Sequence, residues 1–335
     1  MNRVELLALV DEARRAPSVH NIQPARWALV GDALALHADP ARRLPIADPS
    51  GHDVRVSLGA AYEGMAIALS RSGRSAGPPE LAATPAELAA TRAPGNRIAR
   101  LAIEPGGAAD PLAEAVARRA AYRGTFDPTD GAALDRLERQ LAPSGAILIR
   151  DRARIRDLAA LADRAAEEFL LDPRYWAETW SWLRFSPRHP GWNRDGLNAE
   201  SMALSGVERA LGARLMAPAT FEFMRKLGLA GALISERPKT ASAGALILFT
   251  APSGEDPFVT GRTFYRTWLE VTIAGLALCP MSALADSKSA NEEIRRTFSI
   301  PAERRLVNVL RIGQPLAGFP DRLTPRLPTE ELVLG

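Results

Sequence analysis

The chain has 335 residues, 47% of them hydrophobic and 24% charged, which is material for one large domain or two ordinary ones and excludes a disordered polymer. Its formal net charge is +3, carried almost wholly by arginine; lysine occurs only at Lys226, Lys239 and Lys288, and no block of like charge with interleaved aromatics suggests nucleic acid. The single cysteine, Cys279, excludes an internal disulfide and a cysteine-based metal cluster, and no apolar run approaches the length of a membrane span.

In chain order, Val4 to Arg15 puts Leu6, Leu7, Val10 and Ala13 on one helical face, and Ala16-Pro17-Ser18 stops that helix because proline disfavours helix at the residue before it. The N-terminus thus reads as a helix and not as a signal peptide, so a cytoplasmic location is expected. Trp27–Val30 and Ala33–Ala38 read as strands joined by a Gly31-Asp32 hairpin turn. The small-residue run from Ser57 to Ser70 predicts a closely packed, buried helix. Gly73 to Gly95 reads as loop with a short helical piece, and Ile98–Ile103 as a strand. Pro111–Arg119 and Gly131–Leu141 read as helices, Ala146–Arg150 as a strand, and Ile155–Leu170 as a long helix. The stretch from Asp172 to Asn198 is irregular and holds Trp176, Trp180, Trp182 and Trp192. It is either a lid over a site or a core or interface cluster. Ser205–Ser235 reads as broken helix, Ala243–Thr250 as a strand, Arg262–Leu278 as a long buried helix, Asn291–Phe298 as a short helix and Arg305–Ile312 as a strand.

Two places in this order match. A helix, then Ala16-Pro17-Ser18, then a strand recurs as a helix, Ala142-Pro143-Ser144 and a strand. The first copy continues into Val19-His20-Asn21-Ile22-Gln23-Pro24, which concentrates an imidazole and two carboxamides in a non-helical loop; the second copy lacks those polar groups. Carboxamides offer paired donors and an acceptor, which suits the edge of a flat heteroaromatic ring; a polar turn satisfying its own backbone is the other reading. A lone histidine without acid partners makes no metal site.

The segment Ala-Pro-Ser18-Val-His20-Asn21-Ile-Gln23-Pro resembles the flavin mononucleotide (FMN) signature of the nitroreductase superfamily, in its single-chain, double-repeat subgroup. His37-Ala-Asp39-Pro40, Arg43-Leu-Pro-Ile-Ala-Asp48-Pro and Ser57-Leu-Gly59-Ala60-Ala61 are similar to that subgroup as well. The resemblance implies an α+β nitroreductase-like fold made of two tandem half-domains that mimic the family homodimer: residues 1–104 with the flavin-ring loop, and 105–335 with the phosphate arginines and a candidate lid at 172–200. It implies one FMN per chain. Pro17, Ser18, His20, Asn21 and Gln23 would face the ring, and Arg119 and Arg123 would bind the phosphate and ribityl chain. Pro280, Met281 and Ser282 would lie beside the ring, and Arg326 would match the first arginine of a C-terminal phosphate element. The sequence departs from the family pattern at Ala25, Ala121 and Leu327. No catalytic side chain and no metal are expected, since the cofactor carries the hydride chemistry. The implied function is an FMN-dependent oxidoreductase in which NAD(P)H reduces nitroaromatic, quinone or related acceptors, as monomer or homodimer, without nucleic-acid or membrane partners; the alternative is an FMN-binding or storage protein with a covered flavin and little turnover.

Overall fold

The computed structural model describes residues 1–81, 97–319 and 324–335. The predicted loop and short helical piece up to Gly95 therefore lie largely outside the described residues. What is described before them adds two short strands.

The front sheet contains β1 (Ala25–Val30), β2 (Ala33–Ala38), β3 (Arg74–Ala76), β4 (Glu80–Leu81) and β5 (Arg97–Pro105), in the order β1-β2-β5-β3 with β4 also on β5. Gly31, at φ +63°, makes the tight β1–β2 turn that the sequence predicts. The remaining strands are β6 (Phe126–Asp127), β7 (Ile147–Ile149), β8 (Leu183–Arg184), β9 (Leu197–Asn198), β10 (Ala245–Pro252), β11 (Ala277–Pro280) and β12 (Arg304–Pro315). The back sheet runs β7-β10-β12-β11, with β6 also on β12; β8 and β9 form a separate parallel pair.

The two sheets share one topology. Each is fully antiparallel; with the short β4 and β6 set aside, each takes its first two strands, then a long helix, then two more strands, and the last strand slots between its predecessors. The long helices are His52–Arg71 at the front and Pro257–Ile273 at the back. They cross at glycines. A Cβ on Gly59 would lie 1.9 Å from the Phe258 carbonyl oxygen, and one on Gly261 would lie 2.0 Å from that of Val56. Phe258 is buried in the front core with Leu58, Tyr62 and Met65. Tyr265 and Leu269 join Ala60 and Ile67. The tail also crosses over: Leu327, Leu332 and Val333 pack in the front core, and Leu334 N–H donates to the Trp27 carbonyl.

The two sheets differ between their first two strands. At the front this connection is the two-residue turn; at the back it runs from 150 to 244 and carries mostly helices. Within it, Trp176 stacks on Phe221 at 4.1 Å, its indole N–H donates to the Met216 carbonyl, and Leu170 and Ala230 complete a small satellite core. The Trp-rich stretch is thus partly regular, with helix Pro173–Ser181 started by the Asp172 side chain and by proline in its first turn.

Two predicted helices have other bounds. The one read at Arg262–Leu278 begins at Pro257, where the Asp256 side chain accepts from Phe258 N–H at 2.8 Å. It ends before Gly275, at φ +78°, so Cys279 sits buried on strand β11. The one read at Pro111–Arg119 is helical only over Ala113–Val116. Beyond it the chain extends alongside β11: Ala121 bridges Leu278, and Tyr122 N–H donates to the Leu278 carbonyl. Among the described residues no helix is long and apolar enough to cross a membrane.

Candidate functional site

A cleft opens where the two long helices, the front loop and the strand-like segment after Val116 meet. It holds about 1110 Å³ of empty space, its mouth included. Pro17, Ser18, His20 and Asn21 line it from the front loop; Arg119, Ala121 and Arg123 from the extended segment; Pro280, Ser282 and Arg326 from farther along the chain. Nine of the eleven residues singled out in the sequence therefore share one wall-to-wall space. The Arg119-x-x-x-Arg123 spacing works by strand periodicity: residues 119, 121 and 123 face the cleft, while Tyr122 turns into the core beside Phe126.

Two of the eleven are not on that wall. Gln23 is buried behind the loop. Its Oε1 accepts from Leu327 N–H at 2.8 Å and its Nε2 donates to the Arg194 carbonyl at 2.8 Å, so it ties the tail and the Trp-rich segment to the loop. The Met281 side chain points into the back core, where it meets the Thr240 hydroxyl, and its N–H is taken by the Val309 carbonyl.

The loop is strained and closely held. His20, Asn21 and Gln23 all have positive φ, at 44°, 55° and 53°. Such conformations persist in non-glycine residues only where surrounding contacts dictate them. Here the Ser18 hydroxyl accepts from Gln23 N–H and the Ser57 hydroxyl accepts from Val19 N–H, each at 3.0 Å. Asn21 Nδ2 donates to the Gly196 and Pro325 carbonyls at 3.0 Å, and its Oδ1 accepts from Arg326 at 2.9 Å. The candidate lid therefore meets the loop at 194–197, with Leu197 on the cleft wall; Asp195 is clamped between Arg42 at 3.1 Å and Arg184 at 3.0 Å. None of its four tryptophans lines the cleft.

One end of the cleft runs into a pocket walled by Arg14, Arg15, Val116, Arg119, Thr324 and Arg326. Arg326 donates to the carbonyls of Arg14, Arg15 and Ala16. Arg119 is 5% exposed, donates to the Arg15 carbonyl at 3.0 Å and stacks its guanidinium 4.6 Å over the Trp268 ring, while its Nε finds no partner. Among the described residues, no carboxylate pairs with Arg15, Arg119, Arg123 or Arg326. Burial, and then the neighbouring Arg119, push the Arg326 guanidinium down to about 9. Uncompensated cations held this close in a buried setting are unfavourable unless an anion joins them.

The other end is acidic. Asp53 lines the cleft, and burial followed by Asp286 and Asp48 pushes its carboxyl up to about 8. Asp286 is itself raised, chiefly by burial, with a hydrogen bond from Ser282 lowering it and the nearby Asp48 charge raising it again, although the residue is exposed at the surface. Between the two ends His20 stays neutral: burial, then Arg123, hold it down to about 4, and its Nδ1 has no partner.

Asp53, Val56, Ser57 and Ala60 line the cleft from the front long helix, and Phe264 and Trp268 from the back one. The sequence reading missed them as site residues. Their spacings are helical, i, i+3, i+4, i+7 and i, i+4, but a stripe of that spacing marks any buried helix face. Among the described residues no cluster of His, Cys, Asp and Glu is arranged to hold a metal ion.

Fold and cleft define an α+β chain with two like sheets and one arginine-ended site. No family model matches the chain. Curated relatives do: it is 24% identical over 335 residues to a Mycobacterium tuberculosis H37Rv protein named Putative NAD(P)H nitroreductase Rv3131, with 96% of this chain and 88% of that protein covered. It is 25% identical over 342 residues to the Uncharacterized protein Rv3127 of the same strain, covering 96% and 90%. A solved FMN- and NADPH-dependent nitroreductase, NfnB from sphigopyxis sp. strain HMH, aligns with 67% of this chain and 98% of its own, at 18% identity and a TM-score of 0.39. That score is too low to weigh on the fold. In sequence, and along nearly its whole length, the chain is nitroreductase-like.

Proposed function

We propose that the chain binds one FMN in this cleft and uses it to pass electrons from NAD(P)H to a small quinone, nitroaromatic or related acceptor. The observation that carries the reading is the arginine end of the cleft, where among the described residues no carboxylate pairs with Arg15, Arg119, Arg123 or Arg326 and the buried Arg119 Nε makes no hydrogen bond. A phosphate dianion is what such a group of guanidiniums accepts, through charge-assisted, often bidentate hydrogen bonds. The donor set therefore fits the phosphate of a flavin. Arg15, Arg119 and Arg326 would hold that phosphate, with Arg123 along the ribityl chain. Ser18, His20, Asn21, Pro280 and Ser282 would border the ring, and Gln23 would act through the loop. When bound, FMN supplies hydride chemistry; the protein orients and tunes it.

On this reading residues 1–104 and 105–335 are two half-domains standing in for the family's two subunits, with the tail reaching back over the front core. The complementary losses, carboxamides in one turn and arginines before the other, leave one site per chain. The purified protein is expected to be yellow, to hold one FMN per chain, and to bleach with NAD(P)H. A colourless chain that takes up no added FMN overturns the proposal.

A second reading has one observation in its favour: the segment at 194–197 is fastened to the loop by Asn21 and Gln23, which would hinder a reductant's approach. A flavin that ignores NAD(P)H but is reduced by dithionite would identify a flavin-holding protein with little turnover.

A further inference from the structure

We propose, on the basis of the FMN reading above, that Asp53 is the proton donor for reduction of the acceptor, and that Asp286, exposed at the end of the short helix after Ser282, returns its proton from solvent. This favours acceptors that gain a proton on an oxygen as they are reduced, and gives no advantage to those that take electrons alone.

The geometry comes first. Asp53 is the second residue of the front long helix and lies on the same helix face as Val56, Ser57 and Ala60, all on the cleft wall. It shares that wall with the front loop, Asn308 and Ser282, and it is absent from the arginine pocket at the far end. A ligand anchored by its anion among Arg15, Arg119 and Arg326 would extend its uncharged part toward Asp53. The same cleft holds the buried Arg119, whose Nε makes no hydrogen bond and whose neighbour inside the protein is the neutral Tyr265 hydroxyl and not a carboxylate, an independent sign that an anion completes it.

The surroundings favour the neutral acid. No side-chain hydrogen bond or cation partners Asp53 among the described residues. Near it are Asp48 from the preceding loop, Asp286 from the short helix after Ser282, and Tyr175 from helix Pro173–Ser181, with Glu178 beyond Tyr175 at the Ile46 and Ala47 N–H groups. His52 beside it is held toward its neutral form by burial and by Arg305, although Asp48 pulls it the other way. Burial with two like charges disfavours the Asp53 carboxylate, which leaves a proton to give near neutral pH.

The step balances. Reducing a quinone carbonyl pair to the hydroquinone takes two electrons and two protons. Hydride originating on NAD(P)H brings both electrons and one proton. The second proton leaves Asp53: its O–H bond breaks as the acceptor's new O–H bond forms, and the carboxylate left behind is reprotonated through Asp286, which solvent reaches.

The test uses the full chain loaded with FMN, with Asp53→Asn and Asp286→Asn as variants. The first readout is equilibrium binding of benzoate, an aromatic anion of constant charge from about pH 6 to about pH 10, followed by the flavin absorbance. Protonated Asp53 can donate to it and ionised Asp53 repels it, so affinity in the parent chain should fall about tenfold or more across this range. Asp53→Asn should bind with no such slope, and Asp286→Asn should move the midpoint down. The second readout mixes dithionite-reduced protein with a benzoquinone or with ferricyanide, which takes electrons without protons. Asp53→Asn should slow the quinone about 100-fold and leave ferricyanide unchanged. A flat benzoate profile in the parent chain, the same profile in Asp53→Asn, or equal effects on both oxidants overturns the inference while leaving FMN binding intact. Failure to take up FMN overturns the parent reading too.

Discussion

The two proline–serine turns show how one topology can keep a site on one side and fill it on the other. At the front, Ser18 is followed by three residues at positive φ, and the loop opens onto the cleft. At the back, Ser144 is followed by Gly145 at φ +73°, and the Arg304 guanidinium packs directly on that glycine, 2.6 Å from where a Cβ would stand. Arg304 donates to the Ser144 and Thr250 carbonyls and to the Thr250 hydroxyl, whose own proton goes to the Gly145 carbonyl. The back turn thus satisfies its polar groups from within the chain. The front turn faces the guanidiniums of Arg119, Arg123 and Arg326, with which no carboxylate pairs among the described residues.

The comparison breaks most severely if the two halves can separate. Gly59→Ala forces a methyl group into the Phe258 carbonyl, and neither long helix can yield without moving its own sheet. Overpacking at a rigid backbone contact should destabilise by about 3 kcal/mol, a fall of roughly 4 °C in melting temperature for a chain of 335 residues. Calorimetry checks this. Gly254→Ala, where nothing lies within 4 Å, serves as the control and should change the melting temperature little.

Next in size is the charge on one side only. Arg119→Met keeps the packing against Trp268 and removes the cation, so FMN affinity should drop by about 1.5–3 kcal/mol, roughly 10- to 100-fold. Titration by quenching of flavin fluorescence measures it. Arg304→Met in the back turn should leave affinity and stoichiometry unchanged; a second FMN per chain would show that the filled turn is a masked site.

A smaller contrast lies within the turns themselves. Asn21→Ala strands the Gly196 carbonyl and takes one acceptor from Arg326, while the Pro325 carbonyl keeps its bond from Arg326, at about 2 kcal/mol in all. Ser144→Ala removes a hydroxyl that donates to the Leu141 carbonyl and accepts from Ala146 N–H at an open position, at about 0.5–1 kcal/mol. Denaturant unfolding of the two variants side by side separates these; equal losses would deny the front turn its special role.

What the sequence made legible follows from how local each signal is. The front turn, the hairpin at Gly31 and the arginine spacing announce themselves within a few residues, and turn chemistry and strand alternation carry them into the structure unchanged. The matched sheet order was visible only as a short Ala-Pro-Ser recurrence, because strand pairing depends on long-range contacts that neither strand encodes alone. Gln23 looked like Asn21 in sequence, yet the loop turns one carboxamide onto the cleft wall and the other toward the tail. Asp53 carried no mark at all: a carboxylate in the first turn of a helix is ordinary, and only Asp48 and Asp286, folded in from elsewhere, make it unusual. The long back helix was misplaced because Pro257 reads as a breaker until the Asp256 side chain caps the turn beside it.

The finest separation of the two turns is in their protons. His20 occupies the position that Ala146 holds in the back turn, so only the front turn can titrate near neutrality. Its folded value, about 4, lies below the ordinary 6.5, first through burial and then through Arg123. A depressed histidine contributes stability that is present above the unfolded value and lost as pH falls toward the folded one, because the unfolded chain takes up the proton first. Between about pH 6.5 and pH 4 the parent chain should therefore lose stability faster than His20→Gln, with the two curves parallel above that window. Arg123→Met, by removing the second cause, should narrow the window from below. If melting curves of parent and His20→Gln keep a constant separation from pH 7 down to about pH 4, the imidazole is not sequestered, and the front loop is as open to water as any surface turn.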